Sequence, residues 1–145
     1  MTTSLEQFFF DQVHKANGFL VDAGCEETDE QSEWQISVEY ENELIRVRHT
    51  FGDRDSLFNT IIRLKEEENR EYGLWEFLDA MGKRTEKKIT DNLISDEGAL
   101  FAVIQNSADH LKENLDLIIH HDEKVLVSMD SARDKVRKAW EAKWK

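Results

Sequence analysis

The sequence predicts an α+β fold in which helices cover a sheet of two or three antiparallel strands. Apolar residues alternate with polar ones over residues 34–51, which is typical of a half-buried antiparallel hairpin. Over residues 4–23 and 96–121, apolar residues instead recur with the period of amphipathic helices. Strands and helices do not alternate regularly, which argues against a doubly wound sheet. The 145 residues contain no proline, and we expect residues 1–145 to form a single helix-rich domain.

The first predicted helix covers residues 4–23. Ser4 and Gln7 have the spacing of a capping box at its start. Gly24 directly follows its last apolar residue and suits the left-handed position that ends many helices. The next segment, residues 26–33, is polar and strongly acidic and has no apolar alternation, so we predict a loop there.

The predicted hairpin has one apolar face and one charged face. The apolar face consists of Trp34, Ile36, Val38, Tyr40, Ile45, Val47, His49 and Phe51. On the charged face, acids of the first strand lie opposite Arg46 and Arg48 of the second, which is a favourable cross-strand arrangement. Because His49 shares the apolar face, we interpret it as a hydrogen-bonded core residue rather than as a catalyst.

Two helices are predicted directly after the hairpin. The first is capped by Asp55 or Ser56, and its apolar stripe consists of Leu57, Phe58, Ile61, Ile62 and Leu64. Its solvated end is the segment 66–71, and Gly73 interrupts the pattern. The second is a short aromatic helix over residues 74–81, and Gly82 ends it.

The last third of the chain predicts two helices and one strand. The long helix over residues 96–121 has Ser95 as its predicted N-cap. Residues 124–128 alternate well enough to form a possible third strand of the sheet. Asp130 or Ser131 is then the predicted cap of a C-terminal helix.

Composition and motifs exclude several classes of protein. Asp and Glu number 31 against 19 Lys and Arg, and the net charge of -12 argues against nucleic-acid binding. No apolar run is long enough to span a membrane, and the first residues lack the features of a secretory signal. The single cysteine, Cys25, fits a reducing cytoplasm. Phosphate-loop, dinucleotide, hydrolase and zinc signatures are missing, so we expect neither a cofactor nor an enzyme.

The acidic charge is concentrated in the first third of the chain, and it suggests a binding site for a basic protein. Residues 1–45 carry a net charge of -10, whereas residues 133–145 carry +4. Carboxylates around aromatic residues are suited to bind a basic surface, because charges steer the encounter and aromatic residues anchor it. The predicted contacts are Glu26, Glu27, Asp29, Glu30, Glu33, Glu39, Glu41 and Glu43, with Trp34 or Tyr40 as the anchor. Alternatively, Trp34 and Tyr40 both belong to the core, and the acids only form a solvated surface.

Two other segments carry alternative functions. His110, Glu113, His120 and His121 lie on or near the helix over residues 96–121 and suggest a metal-binding or enzymatic protein, although their spacing matches no known ligand set. The tail, residues 133–145, predicts a basic amphipathic helix with tryptophan. Such a helix binds an anionic membrane, enters a partner groove or packs on its own domain. A non-catalytic adaptor or structural protein is the third alternative.

The whole profile resembles that of bacterial immunity proteins and antitoxins. It combines small size, an acidic surface, one cysteine, a mixed α+β pattern and no catalytic motif. The resemblance is one of size and composition, covers no motif and carries no residue over. It implies an inhibitor that caps a basic partner such as a nuclease toxin, without contacting nucleic acid or membrane itself.

Overall fold

The protein contains a five-stranded antiparallel sheet with helices packed on its apolar face. A computed structural model describes residues 4–33, 35–52, 58–64, 70–81, 96–119 and 123–143. The strands are β1 (Glu26–Gln31), β2 (Gln35–Glu41), β3 (Ile45–Gly52), β4 (Phe58–Leu64) and β5 (Arg70–Gly73), and they lie in this order across the sheet. The helices are α1 (Ser4–Ala16), α2 (Gly18–Asp22), α3 (Leu74–Ala80), α4 (Glu97–Glu113), α5 (Leu115–Ile119) and α6 (Glu123–Lys143).

The α+β class is confirmed, but the predicted sheet of two or three strands is wrong because the sheet has five. β2 and β3 form the predicted hairpin, and β1 occupies residues that were predicted to be a loop. The acidic sequence of β1 has little β propensity. It nevertheless pairs with β2 along its whole length, from Glu26 opposite Glu41 to Gln31 opposite Ile36. Strand pairing therefore overrides local propensity here.

The helix predicted over residues 55–71 is wrong, because its described residues lie in β4 and at the start of β5. Residues 55–57 and 65–69 lie outside the described part of the chain. Phe58, Thr60 and Ile62 are buried on the inner face of the sheet. Ile61 points to the outer face of the sheet. Because Ile61 is apolar, the sequence of β4 lacks the strict alternation of apolar and polar residues that is typical of a half-buried strand. β5 pairs with β4 and becomes the second edge of the sheet.

The strand predicted over residues 124–128 is also wrong, because these residues lie within α6. Their valines favour strands, but propensity is a weak preference and the segment continues directly into an amphipathic helix. Met129 of the same helix is fully buried in the core. The C-terminal helix therefore begins at Glu123 and not at Asp130 or Ser131.

Each of the two long predicted helices is broken at an asparagine by the same arrangement. Asn17 separates α1 from α2, and Asn114 separates α4 from α5. The side-chain Nδ2 of Asn17 donates to the carbonyl of Val13 at 2.9 Å, and that of Asn114 to the carbonyl of His110 at 2.9 Å. The backbone N–H groups donate to the same two carbonyls. Such local hydrogen bonds compete with continuation of a helix.

Other helix ends have the residue types that were predicted for them, but the N-cap of α4 lies one residue later than predicted. Gly24 has a φ of 95°, so the predicted left-handed glycine after the first helical region is confirmed. The N-cap of α4 is Asp96, whose Oδ1 accepts a hydrogen bond from the backbone N–H of Ala99 at 2.7 Å. The predicted cap, Ser95, lies outside the described residues. The short aromatic helix is confirmed as α3.

The core lies between the inner face of the sheet and the helices α1 and α4. Phe9 of α1 stacks on Phe51 with ring centroids 5.9 Å apart and meets Phe58 edge-on at 6.3 Å. Burying each such ring contributes roughly 1.5–3 kcal/mol of hydrophobic stabilisation. The outer face of the sheet carries mainly charged and polar side chains, so β1 presents one row of residues to the helices and one row to the outside.

α6 is attached to the edge of the sheet that β5 forms, opposite the edge formed by β1. Arg133 donates two hydrogen bonds to the carboxylate of Glu76 in α3, at 2.8 and 3.0 Å, and a third to the carbonyl of Glu71 at 2.9 Å. Its guanidinium also lies 4.6 Å from the ring centroid of Tyr72. The hydroxyl of Tyr72 in turn donates to Asp130 at 3.2 Å. These contacts join α6 to α3 and β5.

Candidate functional site

β1 is an edge strand with six exposed residues, and most of the predicted binding site lies on it or beside it. β1 pairs only with β2, so its other side presents backbone groups that no strand of the described chain covers. All six of its residues are exposed, and four of them are acidic. Charged side chains on an edge strand also prevent edge-to-edge aggregation. Because β1 lies at the edge of the sheet, its four acidic side chains are close together on the surface and are not part of the hydrophobic core.

Two of the acids in β1 face the helices and attach the strand to α1. The Nε2 of His14 lies 2.7 Å from Oδ1 of Asp29 and 3.7 Å from Oε1 of Glu27. Next to them, the side chain of Gln31 donates to the carboxylate of Glu6 at 3.0 Å. His14 was not singled out from the sequence as a partner of these acids, because its position on α1 is distant along the chain. Glu27 and Asp29 are therefore partly occupied by contacts within the protein.

Glu39 and Glu41 on β2 are paired with arginines of β3. The Nε of Arg46 donates to Glu41 at 2.7 Å, and Arg48 donates to Glu39 at 3.2 Å. The hydrogen bond that Arg46 donates to Glu41 raises the pKa of the Arg46 guanidinium further above its usual range. The predicted pairing of acids with Arg46 and Arg48 is thereby confirmed. These two glutamates contribute little net negative charge to the surface.

The two aromatic anchors have different outcomes. Tyr40 has no exposed surface, and its hydroxyl donates to the carbonyl of Val13 at 3.3 Å. Burial, followed by the neighbouring Glu27, raises the pKa of the Tyr40 hydroxyl far above its usual value. Tyr40 is thus a core residue, as the alternative interpretation has it, and is not accessible to a partner. Trp34 lies outside the described residues.

The remaining four predicted contacts form the surface that we call the acidic edge: Glu26, Glu30, Glu33 and Glu43. All four are exposed. In the part of the chain that the structure describes, none of them forms a salt bridge or a side-chain hydrogen bond. Glu26 and Glu30 point to the outer face of β1, about 13 Å apart along the strand. Glu33 and Glu43 lie in the turns that flank β2.

Two surface hollows lie beside the acidic edge, one near each end of β1. The first has a volume of about 530 Å³ and is lined by Gly24, Glu26, Glu41, Asn42, Glu43 and Leu44. The second has a volume of about 300 Å³ and is lined by Glu30, Gln31, Ser32, Gln35 and Ser37. Each hollow thus contains at least one carboxylate of the acidic edge, and each is large enough for a lysine or arginine side chain.

Hydrogen bonds hold the turns that form these hollows. The Oδ1 of Asn42 accepts from the backbone N–H groups of Leu44 and Ile45, at 2.8 and 2.9 Å, which fixes the turn that carries Glu43. The hydroxyl of Ser32 donates to the carbonyl of Gln35 at 2.9 Å. The sequence contains these Asn and Ser turn signals, but only the pairing of β1 shows that both turns adjoin the same edge.

The histidines of the described chain do not converge on a reactive centre. His49 is buried, and burial lowers the pKa of its imidazole to about 3. His110 is buried in α4, whereas Glu113 is exposed. No group of three or more His, Cys, Asp or Glu side chains among the described residues is arranged to hold a metal ion. The other two residues of the alternative site, His120 and His121, lie outside that part.

Comparisons with known proteins identify no relative. No family model matches the sequence, and neither the curated proteins nor the solved structures contain a significant match. Within the described residues, every helix is too short or too polar to cross a membrane. The geometry and charge of the acidic edge are thus the basis for a functional conclusion.

Proposed function

We propose that the protein is a protein-binding module, an inhibitor of immunity or antitoxin type, whose acidic edge caps a basic protein partner. The observation that supports this proposal is the arrangement of the four carboxylates of the acidic edge. All four are exposed and have no ion-pair partner in the described chain, and Glu26, Glu30 and Glu43 line two hollows at a strand edge. Nearby acids with a structural role are already paired, so the charge of the acidic edge is available for binding.

The spacing of the acidic edge suits a basic surface rather than a single small cation. Glu26 and Glu30 are about 13 Å apart, which is too far for two carboxylates to share one ion. Two lysine or arginine side chains of a partner fit the two hollows separately. Arginine is the better match for carboxylates, because its planar guanidinium makes two parallel hydrogen bonds.

The inhibitory step is steric. Long-range attraction between the acidic edge and a basic active cleft accelerates association, and the bound domain then blocks the cleft. A nuclease toxin is a fitting partner, because an active cleft that binds phosphates is basic. The proposal places the protein in the cytoplasm, where its single cysteine, Cys25, stays reduced.

A test compares two variants with the same change in net charge. The edge variant replaces the four acids of the acidic edge, E26Q/E30Q/E33Q/E43Q. The control variant replaces four exposed acids of α4 and α5, E97Q/D109N/E113Q/D116N. A basic partner is first captured from the source lysate and identified, and its association with each purified variant is then followed at rising salt concentrations.

We expect the edge variant to associate at least about tenfold more slowly than the wild type at low salt and to show a weaker salt dependence. The control variant is expected to bind like the wild type, and the captured partner is expected to lose its own activity in the complex. Equal association rates for both variants would show that the acidic edge is not the contact surface. Retention of full partner activity would contradict the inhibitor function.

A further inference from the structure

The outer side of β1 presents a row of backbone hydrogen-bonding groups, and the register of the sheet identifies the residues that carry them. The N–H of Ser32 donates to the carbonyl of Gln35 at 2.8 Å at the turn between β1 and β2. In an antiparallel pair, hydrogen-bonded positions recur at every second residue, so the even-numbered residues of β1 direct their backbone groups to β2. The other residues of β1, whose backbone N–H and C=O groups point away from the sheet, are Glu27, Asp29 and Gln31.

The pairing of β2 with β3 leads to the same assignment. Directly after β2, the N–H of Asn42 donates to the carbonyl of Ile45 at 3.0 Å, so the even-numbered residues of β2 direct their backbone groups to β3. Only the odd-numbered residues of β2 are then left to bond β1, and they lie opposite the even-numbered residues of β1. The outward-facing backbone groups from Glu27 to Gln31 have no hydrogen-bond partner in the described chain. They extend over about 13 Å of strand.

A stripe of α1 lies beside this edge on the inner side of the sheet. Gln31 donates to Glu6 at 3.0 Å. Two turns further along α1, His14 lies 2.7 Å from Asp29, so α1 runs alongside β1. Phe10 is partly exposed and lies between Glu6 and His14 on the same helix face, with its ring centroid 6.5 Å from that of His14. An apolar side chain of an added strand is therefore within reach of Phe10 on this side.

The outer side of the same edge is acidic. Glu26 and Glu30, which belong to the acidic edge, point to this side. In an added antiparallel strand, the residues opposite Glu26, Thr28 and Glu30 occupy non-hydrogen-bonded positions, where opposing side chains are closest. Lysine or arginine at these positions forms favourable cross-strand pairs with the two glutamates. The edge therefore suits a strand in which cationic residues alternate with apolar ones.

We propose that the partner of the acidic edge contributes an extended segment, which pairs with β1 as a further antiparallel strand of the sheet. Hydrogen bonds to the outward-facing backbone groups of β1 supply affinity, and the alternating side chains of the added strand supply selectivity. Its cationic residues pair with Glu26 and Glu30, and its apolar residues pack towards Phe10. This inference rests on the proposed function, because it states how the partner of the acidic edge binds.

The charge of β1 argues against a second copy of this chain as the added strand. Four of the six residues of β1 are acidic. If two copies of β1 paired with each other, carboxylates would lie opposite carboxylates, and such like-charged cross-strand pairs are destabilising. The same acids attract a basic strand. They therefore prevent pairing between copies and select the partner at the same time.

The first test uses a peptide of about seven residues, blocked at both ends, in which arginine or lysine alternates with valine. Amide exchange of the protein is measured residue by residue by NMR, with and without bound peptide. The amides of Glu27, Asp29 and Gln31 are expected to exchange at least about tenfold more slowly in the complex. The amides of Thr28 and Glu30 already face β2, so their exchange is expected to change much less.

A proline substitution tests the same hydrogen bonds from the side of the protein. D29P removes one outward-facing N–H and preserves the ladder with β2, because proline is tolerated where the N–H of an edge strand faces solvent. The matched control D29A removes the same carboxylate and its contact with His14 but keeps the N–H. D29P is expected to bind the peptide at least about tenfold more weakly than D29A, because a hydrogen bond is lost and the ring obstructs the added strand. Circular dichroism verifies that both variants are folded.

Two methylated peptides give the corresponding comparison on the wild type. N-methylation of the valines blocks the backbone groups that face β1, whereas N-methylation of the cationic residues alters only the side that faces away. Only the second peptide is expected to bind. Equal binding of both methylated peptides would overturn the inference. Failure of the unmethylated peptide to bind the wild type, or unchanged exchange of the outward-facing amides in its complex, would overturn it as well.

The same exchange measurement on the complex with the captured partner separates this inference from the proposed function. Slower exchange of the outward-facing amides of β1 is expected there too. If the partner requires the acidic edge but leaves the exchange of these amides unchanged, this inference fails and the proposed function stands. If the edge variant E26Q/E30Q/E33Q/E43Q associates with the partner as fast as the wild type does, the proposed function itself fails, whatever the peptide does.

Discussion

At the scale of single residues, His49 shows how a polar group is accommodated in this core. Its Nε2 donates to Oδ1 of Asn17 at 3.1 Å, and its Nδ1 accepts from the hydroxyl of Thr60 at 2.9 Å. The side-chain amide of Asn17 donates to Val13, which orients its oxygen towards the ring. The neutral imidazole is therefore fully hydrogen-bonded, and it links the α1–α2 junction to the middle of the sheet.

This arrangement predicts a specific pH dependence of stability. Burial lowers the pKa of His49 in the folded protein to about 3, whereas an unfolded histidine titrates near pH 6.5. Between these two values the unfolded chain binds one more proton, so acidification favours unfolding. We expect the wild type to lose roughly 1 kcal/mol of unfolding free energy per pH unit below about 6.5, relative to the variant H49Q.

Urea unfolding of both proteins between pH 7.5 and 5 checks this prediction. H49Q is itself less stable, because Asn17 and Thr60 lose a partner, so the slope with pH is the relevant quantity and not the absolute value. All other ionisable groups are common to both proteins, so their contributions cancel in the comparison. Parallel stability curves would show that His49 ionises in the folded state as it does in the unfolded chain.

At the scale of elements, each edge of the sheet is attached to a helix by side-chain hydrogen bonds. β1 is joined to α1 through the contact of His14 with Asp29, and β5 is joined to α6 through the contacts of Arg133. Edge strands have only one neighbouring strand to pair with, so such contacts reduce local opening.

Substitution of Arg133 is expected to loosen α6 without unfolding the protein. R133A removes the contacts of Arg133 with Glu76, Glu71 and Tyr72. Because these contacts are partly exposed, together they contribute about 1 kcal/mol to the stability of the attachment of α6. Amide exchange in α6 is then expected to increase about fivefold while that of β2 and β3 is unchanged. R137A is the matched control, because Arg137 pairs with Asp134 of the same helix. Equal effects of both substitutions would show that Arg133 does not attach the helix.

At the scale of the whole molecule, some acids of the sheet are neutralised by neighbouring arginines, whereas those of the acidic edge are not. Arginines of β3 and β4 neutralise the acids beside them on β2 and β5. The acidic edge has no such partner in the described residues, and the chain carries a net charge of -12. Mutual repulsion of the excess carboxylates opposes the compact state.

Salt is therefore expected to stabilise the folded protein, although it also screens the surface ion pairs. Partly exposed ion pairs contribute little each, so relief of the repulsion among the excess carboxylates is expected to be the larger effect. We expect the urea midpoint of the wild type to rise with NaCl concentration, and that of the edge variant E26Q/E30Q/E33Q/E43Q to rise less. A midpoint that falls with salt would mean that the ion pairs of Arg46, Arg48 and Arg63 dominate.

Periodicity along the chain was sufficient to predict the elements whose burial is regular. The apolar residues of β2 and β3 alternate strictly, so the apolar face of the hairpin and the acid–arginine pairs on its other face followed from local order alone. The burial of Ser37 and Thr50 on that other face did not follow from it. The helical region before Gly24 and the long helix α4 are likewise amphipathic over several turns. Local interactions determine these elements, because each one contains enough apolar residues on one face to form its own part of the core.

Long-range contacts determined the rest. β1 is a strand only because β2 offers its backbone, and β4 is a strand because the free edge of β3 pairs with Phe58–Leu64 more favourably than a helix would pack there. The same contacts divided the acids into those that pair with His14 or arginines and those of the acidic edge. The eight predicted carboxylates have four different environments: paired with His14, paired with an arginine, pointing outward on β1, or in a turn. The sequence could not distinguish them, because separation along the chain does not show which side chains meet in space.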